Sequence, residues 1–271
     1  MFKRCGGERQ SPIDIEPKDL DPNDQLGEFD FENYEDELED AKIENNGHTI
    51  QITPGPSDKL YFTKGGFDDK YMFLQLHFHW GSDSKKGSEH TIDGERFPME
   101  MHLVHMNMNY KTKEQAERKE DGLAVLAVLF EVSNEDNPAL EPIIQKLDDV
   151  RKEGAKSDID DLKLISLLPD DLMPYYRYEG SLTTPPCLEV VVWTIFENRV
   201  PISEKQLQQF RNVKEEDEHE PEENLVNNYR PVQELNNRKV EISRDEDDDD
   251  NDGAIVVPSI LLILFALSFF L

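Results

Sequence analysis

The sequence predicts an α+β, β-dominated single domain, with a large, mostly antiparallel central sheet and short peripheral helices. Three observations carry that expectation. Strand-like runs recur at HTIQITP (48–54), MFLQLHFHW (72–80), MEMHLVHMN (99–107), LAVLAVLFEV (123–132) and LEVVVWTIF (188–196). Several are rich in β-branched or aromatic residues and are closed by turn residues. Helix signals are few, and neither an internal repeat nor a Gly/Ser linker divides the chain.

Taken in order, the 48–54 run follows an Asn-Gly turn signal in NNGH (45–48). The central runs lack polar alternation over much of their length, which suggests a sheet covered on both faces. Asn137-Pro138 reads as a helix cap followed by a favoured first-turn proline, leading into ALEPIIQKLDDV. Ser203 with Gln206 forms a capping box ahead of Leu207 and Phe210.

Of 271 residues, Asp and Glu number 59 against 29 Lys and Arg, a net charge of −30. Such a surface repels nucleic acid and anionic membrane, so no nucleic-acid partner is expected. The acid concentrates in GEFDFENYEDELED (27–40), KEEDEHEPEE (214–223) and RDEDDDDND (244–252), which read as solvated faces or linker. A weak Ca2+ contact at the last run is the lesser alternative. His219 lies in the second run and reads as surface. Two cysteines, Cys5 and Cys187, stand so far apart that spacing alone does not separate a disulfide from two free thiols.

The start, MFKRCGGERQSPIDI, is basic but has no apolar core, so it does not read as a secretory signal. The end, GAIVVPSILLILFALSFFL (253–271), carries no charge. It suits either a single membrane span or the cleaved signal for a glycosylphosphatidylinositol anchor, and the lipid anchor is favoured. Ser243 has the right spacer behind it but poor neighbours, while Asn251-Asp252-Gly253 has better residues and almost no spacer. Display on the extracellular face of the plasma membrane then needs a secretory signal, so a preceding N-terminal piece is expected.

QLHFHWG (75–81) places two histidines one residue apart in an apolar, aromatic run. In a strand, Gln75, His77 and His79 share one face, and the two imidazoles start roughly 7 Å apart at Cα, close enough to lean onto one ion. The bland alternative is a pair of hydrogen-bonded histidines. A zinc site that does chemistry needs three protein ligands and an open position. MEMHLVHMN offers His102 and His105, which face opposite sides of a strand. Glu100 shares the face of His102 and can take its second ring N–H, as Gln75 can for His77. His102 is therefore the expected third ligand, with His105 interior on the far face.

These residues, with GSEHTID (87–93), NNGH (45–48), GSLTTPPCLEVVVW (180–193), QSPIDI (10–15) and NNYRPVQELNNR (227–238), resemble the α-class carbonic anhydrases from about Cys5 to Ile242. The resemblance implies a twisted central sheet of about ten strands, a Zn2+ cofactor, and reversible hydration of carbon dioxide to bicarbonate by a zinc-bound hydroxide. It makes residues 1–242 the catalytic domain, 243–252 an acidic linker and 253–271 the hydrophobic anchor signal or membrane segment.

Carried over by position, the resemblance assigns zinc to His77, His79 and His102. Thr183 would accept a hydrogen bond from the hydroxide and pass its own proton to Glu89. Val104, Val125, Leu182, Val191 and Trp193 resemble an apolar wall for carbon dioxide, with Thr184 and Gln51 on the hydrophilic side. Val104 should share a face with His102. His48 occupies the proton-shuttle position, suited to a group that titrates near neutrality. His90 matches a structural histidine, and Cys5 with Cys187 matches a disulfide of secreted and membrane-bound members.

Family members carry an aromatic-rich segment ahead of CGGERQSPIDI, which contributes a tyrosine to the active-site network. That segment too is expected in the preceding piece. Two rival readings are a non-catalytic recognition module on the same fold and a matrix protein whose acidic tail binds Ca2+.

Overall fold

Outer strands such as Ala41–Asn45 alternate in burial, whereas Met99–Asn107 is buried throughout. In the computed structural model, which describes residues 3–215 and 223–243, thirteen strands form one mixed sheet. Its central path runs Ala41–Asn45, Ile50–Thr53, Phe67–Trp80, Met99–Asn107, Leu123–Ser133, Val191–Phe196 and Tyr175–Gly180. Neighbours along it are antiparallel except Leu123–Ser133 beside Val191–Phe196, which is parallel. The expected sheet of about ten strands is larger because two-residue edge pairings such as Asp21–Pro22 beside Glu241–Ile242 extend it. Such short pieces leave no periodic signal in a sequence.

Both faces are covered, as the missing polar alternation suggests. Every residue of Met99–Asn107 is buried. One face packs Leu76, Phe78, Trp80, Met101, Leu103 and Leu126 into a large core. The other packs Val104, Val125, Val191, Trp193 and Ile195. Among the described residues, helices are short. Asn137 caps its segment through its side chain, but the helix expected there splits into a 3-10 turn, Pro138–Leu140, and Glu141–Lys146. The Glu204–Arg211 helix carries the full capping box of Ser203 and Gln206.

A bulge in Phe67–Trp80 sets the site. Phe73 pairs with His105, yet Gln75 pairs with Val104, so Leu74 is extra. One inserted residue exchanges the two faces of a strand from that point on. Tyr71 and Phe73 therefore join the same core as Leu76 and Phe78, while Gln75, His77 and His79 turn to the face of His102.

Among the described residues no helix is long and apolar enough to cross a membrane. The acidic linker from 244 onward, its Ca2+ contact, the 253–271 anchor and His219 lie outside the described residues.

Candidate metal centre

His77 stands directly opposite His102 in the ladder, and His79 opposite Glu100. The ring centroids of His77, His79 and His102 lie 5.1, 5.1 and 4.7 Å apart pairwise. One nitrogen of each lies within 4.8 Å of the others. His79 and His102 are buried and His77 is half-buried.

What makes this a ligand set is where the other nitrogens go. His77 Nδ1 meets Gln75 Oε1 at 3.0 Å, His79 Nδ1 meets the Asn228 carbonyl at 2.8 Å, and His102 Nε2 meets Glu100 Oε1 at 2.7 Å. Each partner is an acceptor, so each outer nitrogen carries the ring proton. The inner nitrogens, His77 Nε2, His79 Nε2 and His102 Nδ1, are then lone pairs turned toward one another. The 3.3 Å approach of His102 Nδ1 to His77 Nε2 has no proton to share in that arrangement. His79 Nε2 is buried without any hydrogen-bond partner. Burial, and then the neighbouring imidazoles, hold the His77 pKa well below its usual range; burial also lowers His102. Three neutral, converging donors fit a divalent cation and little else.

Glu100 is the keystone. It is fully buried, and Oε1 accepts from His90 Nδ1 at 2.6 Å as well as from His102. Its Oε2 accepts the backbone N–H groups of Glu89 and His90, both at 2.8 Å. Burial alone pushes its pKa up, but the charges and hydrogen bonds of His90 and His102 outweigh that and hold it well below the usual carboxylate range. His90 reaches on to the Tyr178 hydroxyl at 2.7 Å, which donates to Ser11 Oγ at 2.8 Å.

Glu89 is buried beside the cluster. Its Oε1 accepts the Arg230 N–H at 2.7 Å, and its Oε2 lies 3.5 Å from His79 Nε2 and 4.0 Å from His102 Nδ1. The expected hydrogen bond from Thr183 is not made: Oε2 is buried with no hydrogen-bond partner. Thr183 is half-buried in irregular chain.

The remaining expected residues fall around the same face. Val104, Val125 and Trp193 stand in one register row, next to the row of His77 and His102. Val191 belongs to the same apolar cluster and Leu182 packs against it. The Trp193 ring centroid is 4.8 Å from that of His102. Gln51 pairs with His77 across the ladder, while Thr184 and His48 are exposed. His105 turns to the far core, where Tyr34 hydrogen-bonds its Nε2. Cys5 and Cys187 form a disulfide.

Two residues of NNYRPVQELNNR were given no role of their own in the sequence reading. Asn228 holds His79 by its carbonyl and Trp80 N–H by its side chain at 2.8 Å each, and donates to His48 O at 2.9 Å. Arg230 holds Glu89 by its backbone, and its guanidinium donates to Gln10 Oε1, Ser11 O and Cys5 O. Both sit in irregular chain, where neither periodicity nor a ligand-type side chain marks them.

Residues 1–244 match a family model described as eukaryotic-type carbonic anhydrase. The chain is 40% identical over 244 residues to carbonic anhydrase 6 of Bos taurus, covering 89% of this chain and 75% of that protein. It is 38% identical over 238 residues to carbonic anhydrase 4 of Rattus norvegicus, covering 87% and 76%. Carbonic anhydrase 6 of Mus musculus is 40% identical over 244 residues, with 89% and 75% covered.

Proposed function

The chain belongs to the eukaryotic-type carbonic anhydrases, zinc-dependent carbonate dehydratases that interconvert carbon dioxide and bicarbonate, and we propose that it does so at the three-histidine cluster. The observation that carries this reading is the split within each imidazole, one nitrogen capped by an acceptor and the other turned to a common point. His77 and His79 would hold zinc through Nε2, and His102 through Nδ1. Zinc held by three neutral imidazoles would keep its full charge and would supply a hydroxide nucleophile from water near neutral pH, chemistry for which this family is the standard example.

The protein's own groups do the positioning. Thr183 would accept a hydrogen bond from the attacking oxygen and donate one to Glu89 Oε2, which has no partner in the structure, so that a lone pair is aimed at the substrate carbon. Val104, Val125, Leu182, Val191 and Trp193 give uncharged carbon dioxide an apolar wall, and Thr184 and Gln51 face it from the wet side. His48, exposed beside Asn228, passes the released proton to buffer. Residues 1–242 are the catalytic domain in this reading, with 243–252 as linker and 253–271 as anchor. A disulfide suits an oxidising compartment, which supports display on the extracellular membrane face.

Zinc content and carbon dioxide hydration of the wild type and His102→Ala test the reading. Wild type is expected to bind one zinc per chain and to turn over; His102→Ala should lose both and keep its circular dichroism. An active, zinc-free wild type, or an unimpaired His102→Ala, refutes it.

A further inference from the structure

Arg177 plays no part in the chemistry proposed above, yet it is only 6% exposed. It pairs with Thr194 across the ladder, and alternation turns it away from Tyr178 and the histidine face. Nε and Nη2 donate to Thr194 Oγ1 at 3.2 and 2.9 Å, and Nη2 also donates to Gly65 O at 2.8 Å. The Phe67 and Tyr175 rings lie 4.1 and 5.5 Å from the guanidinium carbon.

One nitrogen is left over. Among the described residues Arg177 makes no ion pair, even though Glu241 is its register partner, and Nη1 makes no hydrogen bond. Burial holds its pKa down to about 10. The charge of Glu241 offsets only part of the burial, and a buried guanidinium with no carboxylate in contact is costly unless something compensates it.

Arg177 lines a cavity of about 480 Å³, together with Asn23, Gln25, Asn237, Arg238 and Lys239. Arg238 is fixed there by three backbone carbonyls, those of Leu235, Glu179 and Glu234, at 3.0, 3.0 and 2.9 Å. Glu179 and Glu241 also line it, and Lys239 is ion-paired with Asp21, so the charged donors still open to a ligand there are those of Arg177. Another cleft, of about 930 Å³, is lined instead by acids such as Glu35, Asp36 and Asp160. The Arg177 cavity is far less acidic than that cleft.

We propose that this cavity is a second anion site, separate from the histidine cluster, for a small carboxylate-type oxyanion. Both N–H groups of Arg177 Nη1 point the choice to oxygen acceptors with directed lone pairs rather than to a halide. Asn237 and Gln25, both exposed at the mouth, offer amide donors. Bicarbonate, the product of the reaction, is such an ion, and acetate is its simplest probe.

Thermal unfolding of the full chain in sodium acetate or bicarbonate, against sodium chloride at matched ionic strength and pH, tests this. Wild type should show a saturable, oxyanion-specific rise in Tm. The rise should persist in His102→Ala, which breaks the histidine cluster. Arg177→Gln should weaken the apparent Kd at least tenfold. Should that variant not fold, Gln25→Glu and Asn237→Asp put a carboxylate at the mouth without touching the packed guanidinium, and each should weaken binding similarly. No oxyanion-specific shift in wild type, a shift lost in His102→Ala, or one undiminished in both mouth variants overturns the proposal.

Discussion

Glu100→Gln is the most informative single change, because the structure fixes what the carboxamide has to do. The carboxylate accepts four N–H groups, two on each oxygen, from His90, His102 and the backbone of Glu89 and His90. A carboxamide keeps one accepting oxygen and turns an NH2 donor at the other pair. Either orientation sets donor against donor and strands two buried N–H groups. At about 1–3 kcal/mol for each unsatisfied buried donor, the fold should lose roughly 2–6 kcal/mol. That is a large share of the 5–15 kcal/mol or so that a typical domain has in all. His102 also loses the acceptor that fixes its tautomer, so zinc should bind on the order of 10–100-fold more weakly. Urea unfolding with and without zinc reads the first effect, and competition against a chromophoric chelator reads the second. A variant within 1 kcal/mol or so of wild type, with zinc affinity unchanged, would show that this carboxylate is not the support inferred here.

Other expectations follow from the same geometry. Burial holds the His105 pKa down at about 3, below its unfolded value near 6.5, so the unfolded chain takes the proton first. Stability from this group is complete above about pH 6.5 and should fall by up to about 1.4 kcal/mol per pH unit as pH drops toward 3. Urea titrations should show that slope shrinking by as much as one proton in His105→Gln; parallel curves would contradict it. Reducing Cys5–Cys187, or replacing both cysteines by serine, opens a link between residues 182 positions apart, and the chain-entropy estimate puts the loss near 5 kcal/mol at most. An unchanged urea midpoint would deny the disulfide that role. Thr183→Ala should lower kcat/KM on the order of 100-fold through misaimed attack, with zinc content intact. Zinc lost in parallel would instead make Thr183 a structural residue.

Legibility in the sequence followed the type of structure. The histidine pair was readable because period-two alternation is local, and the choice of His102 over His105 needed only Glu100 on the same face. The capping box at Ser203 and the cap at Asn137 were readable for the same reason: each is a short pattern with one physical meaning. The bulge at Leu74 was not. A period-two reading of Phe67–Trp80 puts Phe73 on the face of Gln75, and only the pairing with Met99–Asn107 shows the exchange. Glu100 was expected to serve His102 alone, because its bonds to His90 and two backbone amides join segments ten and eleven residues apart in a loop without periodicity. Glu89 was expected to hold Thr183, but only one of its oxygens is bonded, and to chain outside its own motif. One is capped by Arg230 and the other is left free.

The site depends on the irregular chain from Leu225 to Arg230 as much as on the sheet. Trp80 Nε1 donates to Leu225 O at 2.8 Å, and Asn227 N donates to Trp80 O at 2.9 Å. Asn228 then accepts from His79 and Trp80 and donates to His48 O, and Arg230 donates its backbone N–H to Glu89 and its guanidinium to Cys5 O and Ser11 O. A strand end would otherwise fray at Trp80, just past the second histidine, because ladder bonds stop there. Fastening it with side chains and carbonyls from far along the chain fixes the aim of His79, the height of the His48 turn and the position of Glu89 in one step. The sheet supplies alternation, which brings His77 and His102 opposite each other. Alternation cannot orient a ring about its own axis. That orientation comes from acceptors, Gln75 and Glu100 within the strands and, for His79, the Asn228 carbonyl, so one ring of the histidine cluster is aimed by backbone with no regular structure at all.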